Sequence, residues 1–385
     1  MAKNKITVGI DLGTASTRVV VLSWQSDSQT PEVVSSVSVP SKGMRHGYIV
    51  NTDDVTNSIK KAVSIAEKES GISIRRATFS IGGTSLSAET GQGSAIISKA
   101  DGEITSFDSK SALESAEENI DLKNKKVIYT SPISWKLDGK EINGKPEGMF
   151  GIKLEVKVLY ITCLSQHLDD LLLCASSAGV EVLEVFPSSI AASNIALSDR
   201  QKTVGVMLVN IGAETVSIAI FENGVPIGFS VFPIGSTDIT NDIALGFRIT
   251  LEEAESIKTG NIIATNYPKR RVDEIIEARL SDIFDLVDGY LKKIRRSGLL
   301  PAGVVITGGG GGHSLVEGLA KNMLRLPSKV GSDELLSQIR GNVRDSSWFV
   351  AYGLAIMAHT SANSKSMPQG NSSGIFKEFF RQFLP

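Results

Sequence analysis

The residues best suited to chemistry form one short run near the start of the chain, Asp11-Leu12-Gly13-Thr14-Ala15-Ser16-Thr17. A hairpin turn made from Gly13, Thr14, Ala15, Ser16 and Thr17 can aim several backbone N–H groups and hydroxyls at one point, forming a nest for an anion such as phosphate. Asp11 would add a carboxylate beside that anion, which makes sense only with a cation or its water shell between them. Asp and Gly also shape ordinary hairpins, so the run by itself leaves both readings open. A weak internal repeat favours the nucleotide. Residues 10–21 align with residues 209–220, where Asn210, Gly212, Ala213, Glu214 and Thr215 make a second turn that could grip the same phosphates from another lobe.

Two further features could complete a nucleotide site. Gly308, Gly309 and Gly310 open a five-glycine run after a buried strand predicted at residues 303–307, and backbone without Cβ atoms can approach a flat ligand closely. A plain flexible loop is the other reading. Glu255 and Lys258, three apart on one face of a predicted helix, could hydrogen-bond ribose hydroxyls or simply pair with each other. Other catalytic patterns fail. Residues 139–146 fit G-x-x-x-x-G-K, but Pro146 stands where a phosphate loop needs a magnesium-binding hydroxyl, and Pro has no N–H. There is no G-x-S-x-G elbow and no H-E-x-x-H, and His167 near Asp169 and Asp170 reads as a solvated helix face rather than a metal site.

The elements that must position these residues follow from the hydrophobic period. Each repeat copy reads as an apolar strand, a Gly-containing turn and a second β-branched strand, so two hairpins in two related lobes are expected. Between them, Val55, Ile59, Ala62, Val63 and Ala66 mark a helix over residues 53–70 that stops at Gly71, and a strand follows at 76–81. Residues 84–165 change character. Turn-rich stretches at 89–93 and 138–151 flank short strands such as 153–163, and the segment reads as a small α+β insertion. Helical patterns follow at 166–178, 188–197, 236–258, 272–296 and 346–359.

Composition sets the outer limits. At roughly 150 residues per domain, 385 residues suggest two or three domains. Forty basic against 42 acidic side chains leave a net charge of −2, so no whole-chain affinity for nucleic acid is expected. Cys163, Cys174 and four histidines cannot supply a disulfide framework or a zinc-finger site, which makes a reduced cytosolic compartment the default. With no apolar signal region and no run of about 18 apolar residues, neither secretion nor a membrane span is expected. The last residues differ in kind. Residues 360–373 have a linker's composition, and residues 374–385 place Ile375, Phe376, Phe379, Phe380, Phe383 and Leu384 on one helical stripe, with Lys377, Glu378, Arg381 and Gln382 opposite. Such a stripe at the end of a linker suits a lipid surface, where Lys377 and Arg381 would lie beside anionic headgroups.

In order, the phosphate hairpin (9–21), connecting helix (186–197), second hairpin (210–220), adenosine loop (304–312) and closing helix (346–357) resemble the actin-like ATPase superfamily. Residues 43–51, 77–83, 148–163 and 232–244 are similar to the FtsA family of bacterial cell-division proteins, and the resemblance covers essentially the whole chain. It implies an α/β, actin-like two-lobed fold of duplicated ribonuclease-H-like cores, with an inserted small α+β subdomain and a C-terminal amphipathic helix. Residues 1–83 with 166–197 would form one lobe, residues 198–235 with 298–359 the other, and residues 84–165 the insertion. Residues 236–297 would form an outer subdomain that receives the C-terminal tail of FtsZ. The resemblance also implies ATP and Mg2+ between the lobes, with Asp11 as the metal residue, and actin-like filaments of the chain with itself. The insertion would bind downstream division proteins, and residues 374–385 would hold FtsZ to anionic lipid at the cytoplasmic face of the division site. Type IV pilus assembly relatives share the fold but lack a comparable terminal helix. A small-molecule kinase on this fold would need a catalytic acid and a substrate pocket that are not found in the sequence.

The chain departs from the superfamily where hydrolysis is decided. The second hairpin usually begins with Asp and continues through Gly-Gly-Gly-Thr, whereas here it carries Asn210 and then Gly212, Ala213, Glu214 and Thr215. Neutral Asn210 removes a carboxylate that would order magnesium's waters, Glu214 brings negative charge toward phosphate, and Phe186 occupies a place in the connecting helix where chaperone relatives carry an acid. ATP binding with at most slow hydrolysis is therefore expected, with no catalytic residue assigned.

Overall fold

The structure, a computed structural model, describes residues 5–25, 30–260, 267–331 and 345–364. In the first half, β1 (Lys5–Leu12), β2 (Ser16–Trp24) and β3 (Glu32–Pro40) form an antiparallel meander, and the small pair β4 (Met44–Arg45) and β5 (Tyr48–Ile49) leads into α1 (Thr52–Ser70) and β6 (Arg76–Ile81). The chain then leaves for an insertion of β7 (Ser87–Ile96), α2 (Ser106–Glu118), β8 (Lys125–Leu137), β9 (Lys140–Ile142) and β10 (Lys153–Leu164). It returns through α3 (Ser165–Ser177) to β11 (Glu181–Pro187), and α4 (Ser188–Ala196) and α5 (Asp199–Val204) lead to the second half.

There the pattern repeats. The meander is β12 (Val206–Ile211), β13 (Val216–Glu222) and β14 (Val225–Phe232), followed by α6 (Ser236–Phe247), α7 (Leu251–Lys258) and α8 (Lys269–Lys293). β15 (Val304–Thr307), a 3-10 turn (Gly309–Gly312), α9 (Val316–Leu324) and β16 (Ser328–Val330) complete the sheet, and a 3-10 turn (Ser346–Trp348) opens α10 (Phe349–Ser364). The sheets run β11-β6-β1-β2-β3 and β16-β15-β12-β13-β14, the same order with the same parallel and antiparallel pairings. Duplication is thus written in the topology.

Each sheet is apolar on both faces, so the strands read as near-continuous hydrophobic runs; Val19, Val20, Val21 and Leu22 are all fully buried. α1 covers one side with Val55, Ile59, Ala62, Val63 and Ala66. Its first turn is capped by the Asn51 side chain, which accepts from the Asp54 N–H at 3.1 Å, a contact worth about 1 kcal/mol. Gly71, in the left-handed region at φ 69°, ends it. The insertion has its own antiparallel sheet, β7-β10-β8-β9, with a separate small core where Ala112 and Ala116 of α2 meet Leu154, Val156 and Val158.

Several sequence expectations change here. Residues 89–93 are not a turn but the middle of β7, because Gly91 and Gly93 leave room for α2. A Cβ there would lie 2.4 Å from the Ala116 carbonyl oxygen or 2.2 Å from that of Ala112. The single helix expected over 236–258 is two helices. Arg248 turns left-handed at φ 57°, and the Thr250 side chain then caps α7 by accepting from the Glu253 N–H. Phe186 lies in β11, buried, since the connecting helix begins only after Pro187. His167 is not solvated. α3 presses it between Tyr48, whose ring stacks on it at 5.1 Å, and Ser85, whose Oγ lies 2.6 Å from Nδ1. Burial holds its pKa down to about 4, so the ring is neutral. The 139–146 decoy is the β8–β9 hairpin turn and the chain after it, with no helix following. Residues 365–373 of the expected linker and all of residues 374–385, including Ile375, Phe376, Lys377, Phe379, Phe380, Arg381, Phe383 and Leu384, lie outside the described residues.

Candidate functional site

The two hairpin turns close in the same way. The Gly13 N–H donates to the Ser16 carbonyl at 3.1 Å, and the Gly212 N–H to the Thr215 carbonyl at 2.9 Å. A Cβ at either glycine would sit 2.9 Å from that oxygen, so each turn needs a residue without one. Their surroundings differ. Around the first turn, the Ala15 carbonyl accepts from the Ser41 N–H at 3.1 Å and the Thr17 and Ser41 hydroxyls meet at 2.8 Å. Around the second, the carbonyls of Gly212 and Ala213 accept from the N–H groups of Ser236 and Thr237, which ties the turn to the start of α6.

Residues 43–51 bridge the two turns. The Gly47 N–H donates to Thr14 Oγ1 at 3.2 Å, and the His46 N–H donates to Glu214 Oε2 at 2.5 Å. His46 Nδ1 also donates to the Glu214 carbonyl at 3.3 Å, because a carbonyl can only accept. The Glu214 carboxylate thus holds this crossing segment.

Asp11 is buried behind the first turn, where Ser80 Oγ donates to Oδ1 at 2.7 Å and Arg18 Nη1 lies 3.9 Å from Oδ2. Burial pushes its carboxyl above the usual range, and Arg18 and Ser80 oppose that rise. The Arg18 Nε is buried without a hydrogen-bond partner among the described residues, and its guanidinium lies 5.6 Å from the Trp348 ring centre. Asn210, the counterpart of Asp11, accepts from Thr307 Oγ1 at 3.5 Å and carries no charge.

The glycine run and the α7 pair come together on the second half. Gly310 packs against Ile211 and Ser236, while a Cβ on Gly309 would meet nothing within 4 Å, leaving that backbone open to a ligand. Lys258 Nζ pairs with Glu255 at 2.7 Å and donates to the Ser236 carbonyl at 3.0 Å and to Thr240 Oγ1 at 2.8 Å. Thr240 Oγ1 in turn donates to Glu255 Oε2 at 2.6 Å. The pair therefore also pins α7 to the start of α6, beside the glycines. Thr14 and Glu214 are joined through residues 43–51 on one side, and Gly310 and Lys258 meet at Ser236 on the other, with Gly308 against Asn210 and Ile211 and the second hairpin touching both sides.

Sequence reasoning missed Arg18, Ser80 and His46. Arg18 was within reach, since a turn over residues 13–16 pairs Asp11 directly with Arg18 across the hairpin. Ser80 and His46 reach the site only through tertiary contacts. Among the described residues there is no group of three or more His, Cys, Asp or Glu side chains that could hold a metal, and no helix long and apolar enough to cross a membrane.

Comparison with known proteins adds two family models, one described as Cell division protein FtsA over residues 207–353 and one as the SHS2 domain inserted in FTSA over residues 83–162. Cell division protein FtsA of Bacillus subtilis (strain 168) is 30% identical over 377 residues, covering 92% of this chain and 83% of that protein. FtsA of Pseudomonas aeruginosa is 29% identical over 374 residues, covering 91% and 88%. Among solved structures, the PilM-PilN type IV pilus biogenesis complex matches with a TM-score of 0.70 at 16% identity, over 91% of this chain and 98% of that one. MreB5 of Spiroplasma citri bound to AMPPNP matches with a TM-score of 0.55 at 13% identity, over 94% and 98%. Those two likenesses are of fold alone, which is the actin-like one with an SHS2 insertion. The sequence relatives speak to family, and by them this chain belongs to the FtsA family of cell division proteins.

Proposed function

We propose that this chain binds ATP with magnesium between its two hairpins, assembles with copies of itself into actin-like filaments, and tethers FtsZ to the cytoplasmic membrane at the division site. The observation that carries the reading is the pair of identically closed glycine turns, both engaged by residues 43–51. Backbone N–H groups at such turns suit phosphate oxygens, and the partly exposed Arg18 guanidinium, paired with Asp11, supplies a cation near the first turn. Fold neighbours solved with AMPPNP and with ADP support a nucleotide. A single carboxylate, Asp11, fits a magnesium ion held mainly by the nucleotide's own phosphates, with Asp11 on its water shell. That ion would neutralise phosphate charge when bound. Asn210 offers no second carboxylate, and Phe186 is buried in the sheet, so positioning of an attacking water is poor and hydrolysis slow.

The partner surfaces follow from the same family reading. Where α6 turns into α7, Leu245 (78% exposed) and Leu251 (54%) flank Arg248 in a shallow apolar depression that suits the FtsZ tail. The insertion exposes Ile96, Phe150 and Ile152 at one end, a surface for another copy or a downstream division protein. Residues 374–385 attach the assembly to anionic lipid. Burying six large apolar side chains would contribute several kcal/mol at ~25 cal/mol per Å², reduced by ordering the helix, so one tail binds weakly and a filament binds firmly.

Co-pelleting of the full chain with anionic liposomes tests the reading, with and without ATP-magnesium and with and without residues 374–385. ATP should increase both filaments and pelleting, and removal of residues 374–385 or replacement of Phe379 and Phe380 by Asp should abolish pelleting while leaving soluble stability unchanged. Retained lipid binding with lost stability would assign that stripe to the protein's own core instead.

A further inference from the structure

Residues 43–51 do more than cross the cleft. On their far side they rest on both connections to the inserted subdomain. The outgoing connection follows β6, and there the Gly47 and Gly83 backbones touch. A Cβ on Gly47 would lie 2.4 Å from the Gly83 Cα, and one on Gly83 would lie 2.9 Å from the Gly47 carbonyl carbon. Both residues are also left-handed, at φ 78° and 91°, so glycine is required at each. The returning connection is the start of α3, and there His167 lies 2.6 Å from Ser85 Oγ of the outgoing connection and stacks on Tyr48 of residues 43–51. Gly47 thus holds Thr14 of the first phosphate turn with its N–H while its backbone touches the outgoing root, and Tyr48 beside it stacks on the returning one.

Its neighbour, His46, reaches the other half of the molecule. Because Glu214 belongs to the second hairpin and His46 to the first half, opening the cleft must break or drag the His46–Glu214 contacts. We propose that residues 43–51 are a strap that couples closure of the cleft to the orientation of the inserted subdomain, so that the apolar end bearing Ile96, Phe150 and Ile152 is presented according to the state of the cleft. The inference rests on the reading of the cleft as a nucleotide site. Its physical basis is contiguity. The strap is packed backbone to backbone against the root of the insertion and hydrogen-bonded to both turns, and packed groups move together rather than deform continuously. The coupling is reciprocal by linkage, so a partner that selects one orientation of the insertion changes nucleotide affinity by the same factor.

The test is hydrogen exchange by mass spectrometry on the full chain, with ATP-magnesium or AMPPNP-magnesium as the probe, beside a separate equilibrium measurement of nucleotide affinity. In the unaltered chain, nucleotide should raise protection at both turns, at residues 43–51 and at the roots of the insertion around 83–87 and 162–167. His167→Leu removes the stack on Tyr48 and the hydrogen bond to Ser85. It should keep nucleotide affinity within about twofold and lower the response at the roots by at least about threefold, the range that mutation of a coupling element produces. Should His167→Leu fail to fold, Glu214→Ala, a partly exposed position, cuts the strap at the cleft end and should lower the same response. Nucleotide that binds and protects the turns while the roots stay unchanged overturns the coupling and leaves the site reading intact. Absence of nucleotide binding overturns both, and the affinity measurement tells the two failures apart.

Discussion

The two phosphate-turn hairpins have the same backbone and different electrostatics. In each, a glycine N–H closes the turn onto the carbonyl three residues on, and the strand before the turn receives a hydroxyl from the parallel neighbouring strand, Ser80 for Asp11 and Thr307 for Asn210. Across the hairpins, Asp11 faces Arg18, but Asn210 faces Ser217. The first copy therefore keeps a charge pair of buried Asp11 with partly exposed Arg18, and the second keeps only neutral dipoles. Duplication preserved the geometry that can grip an anion and let the charges diverge. Grip needs backbone, whereas ordering a metal's waters needs carboxylates. A chain with two of the first and one of the second fits the proposed reading of a nucleotide held and slowly cleaved.

That contrast can be broken at the charge pair first. Arg18→Met would leave Asp11 buried without its cation and should lower the unfolding free energy by about 3 kcal/mol in denaturant titration, whereas Asn210→Ala should lower it by only about 1 kcal/mol. Equal losses would mean that the charges do not distinguish the hairpins. Next come the turns themselves. A Cβ at Gly13 or Gly212 meets the same oxygen at the same 2.9 Å, so Gly13→Val and Gly212→Val should each reduce ATP affinity by about 2 kcal/mol, roughly 30-fold, in equilibrium binding. An effect at Gly13 alone would show that only one hairpin grips.

Restoring the missing carboxylate sharpens the comparison. Steady-state hydrolysis should run well below the roughly 1–100 per second of efficient phosphoryl transfer, and Asn210→Asp should speed it by about tenfold. Fast turnover in the unaltered chain would refute the reading of Asn210. The smallest effect is in pH. Because the folded pKa of Asp11 is raised above 3.8, the folded state holds its proton more tightly than the unfolded chain. The stability it contributes is full below 3.8 and is lost as pH rises through the folded value. Asp11→Asn should remove that part of the slope in chemical denaturation followed across this window, while Asn210→Ala should leave it in place.

Much of this architecture is carried by local pattern. Apolar runs marked both hairpins and β6, helical spacing and the stop at Gly71 marked α1, and two glycine turns half a chain apart pointed to duplication. Where local pattern failed, a neighbour had overruled it. Gly91 and Gly93 look like turn residues and are strand residues because α2 needs the space of their missing side chains. His167 sits in a polar-looking stretch and is buried because the strap and Ser85 close over it. Helix 236–258 has an unbroken period, and yet the chain reverses at Arg248.

What the amino-acid sequence determined by itself was a set of parts: the two hairpins with their glycine turns, helix α1, and an acid in one hairpin where the other has an amide. These depend on side-chain type and spacing along a few residues, which are local properties. Only the tertiary structure decided what those parts face. Ser80 is far from Asp11 in the chain and Glu214 is farther still from His46, and hydrogen bonds of that kind exist only once sheets have paired and lobes have met. The charge of Glu214 was visible in the sequence. Its direction, onto the strap, was fixed by the packing of two halves that no local pattern relates.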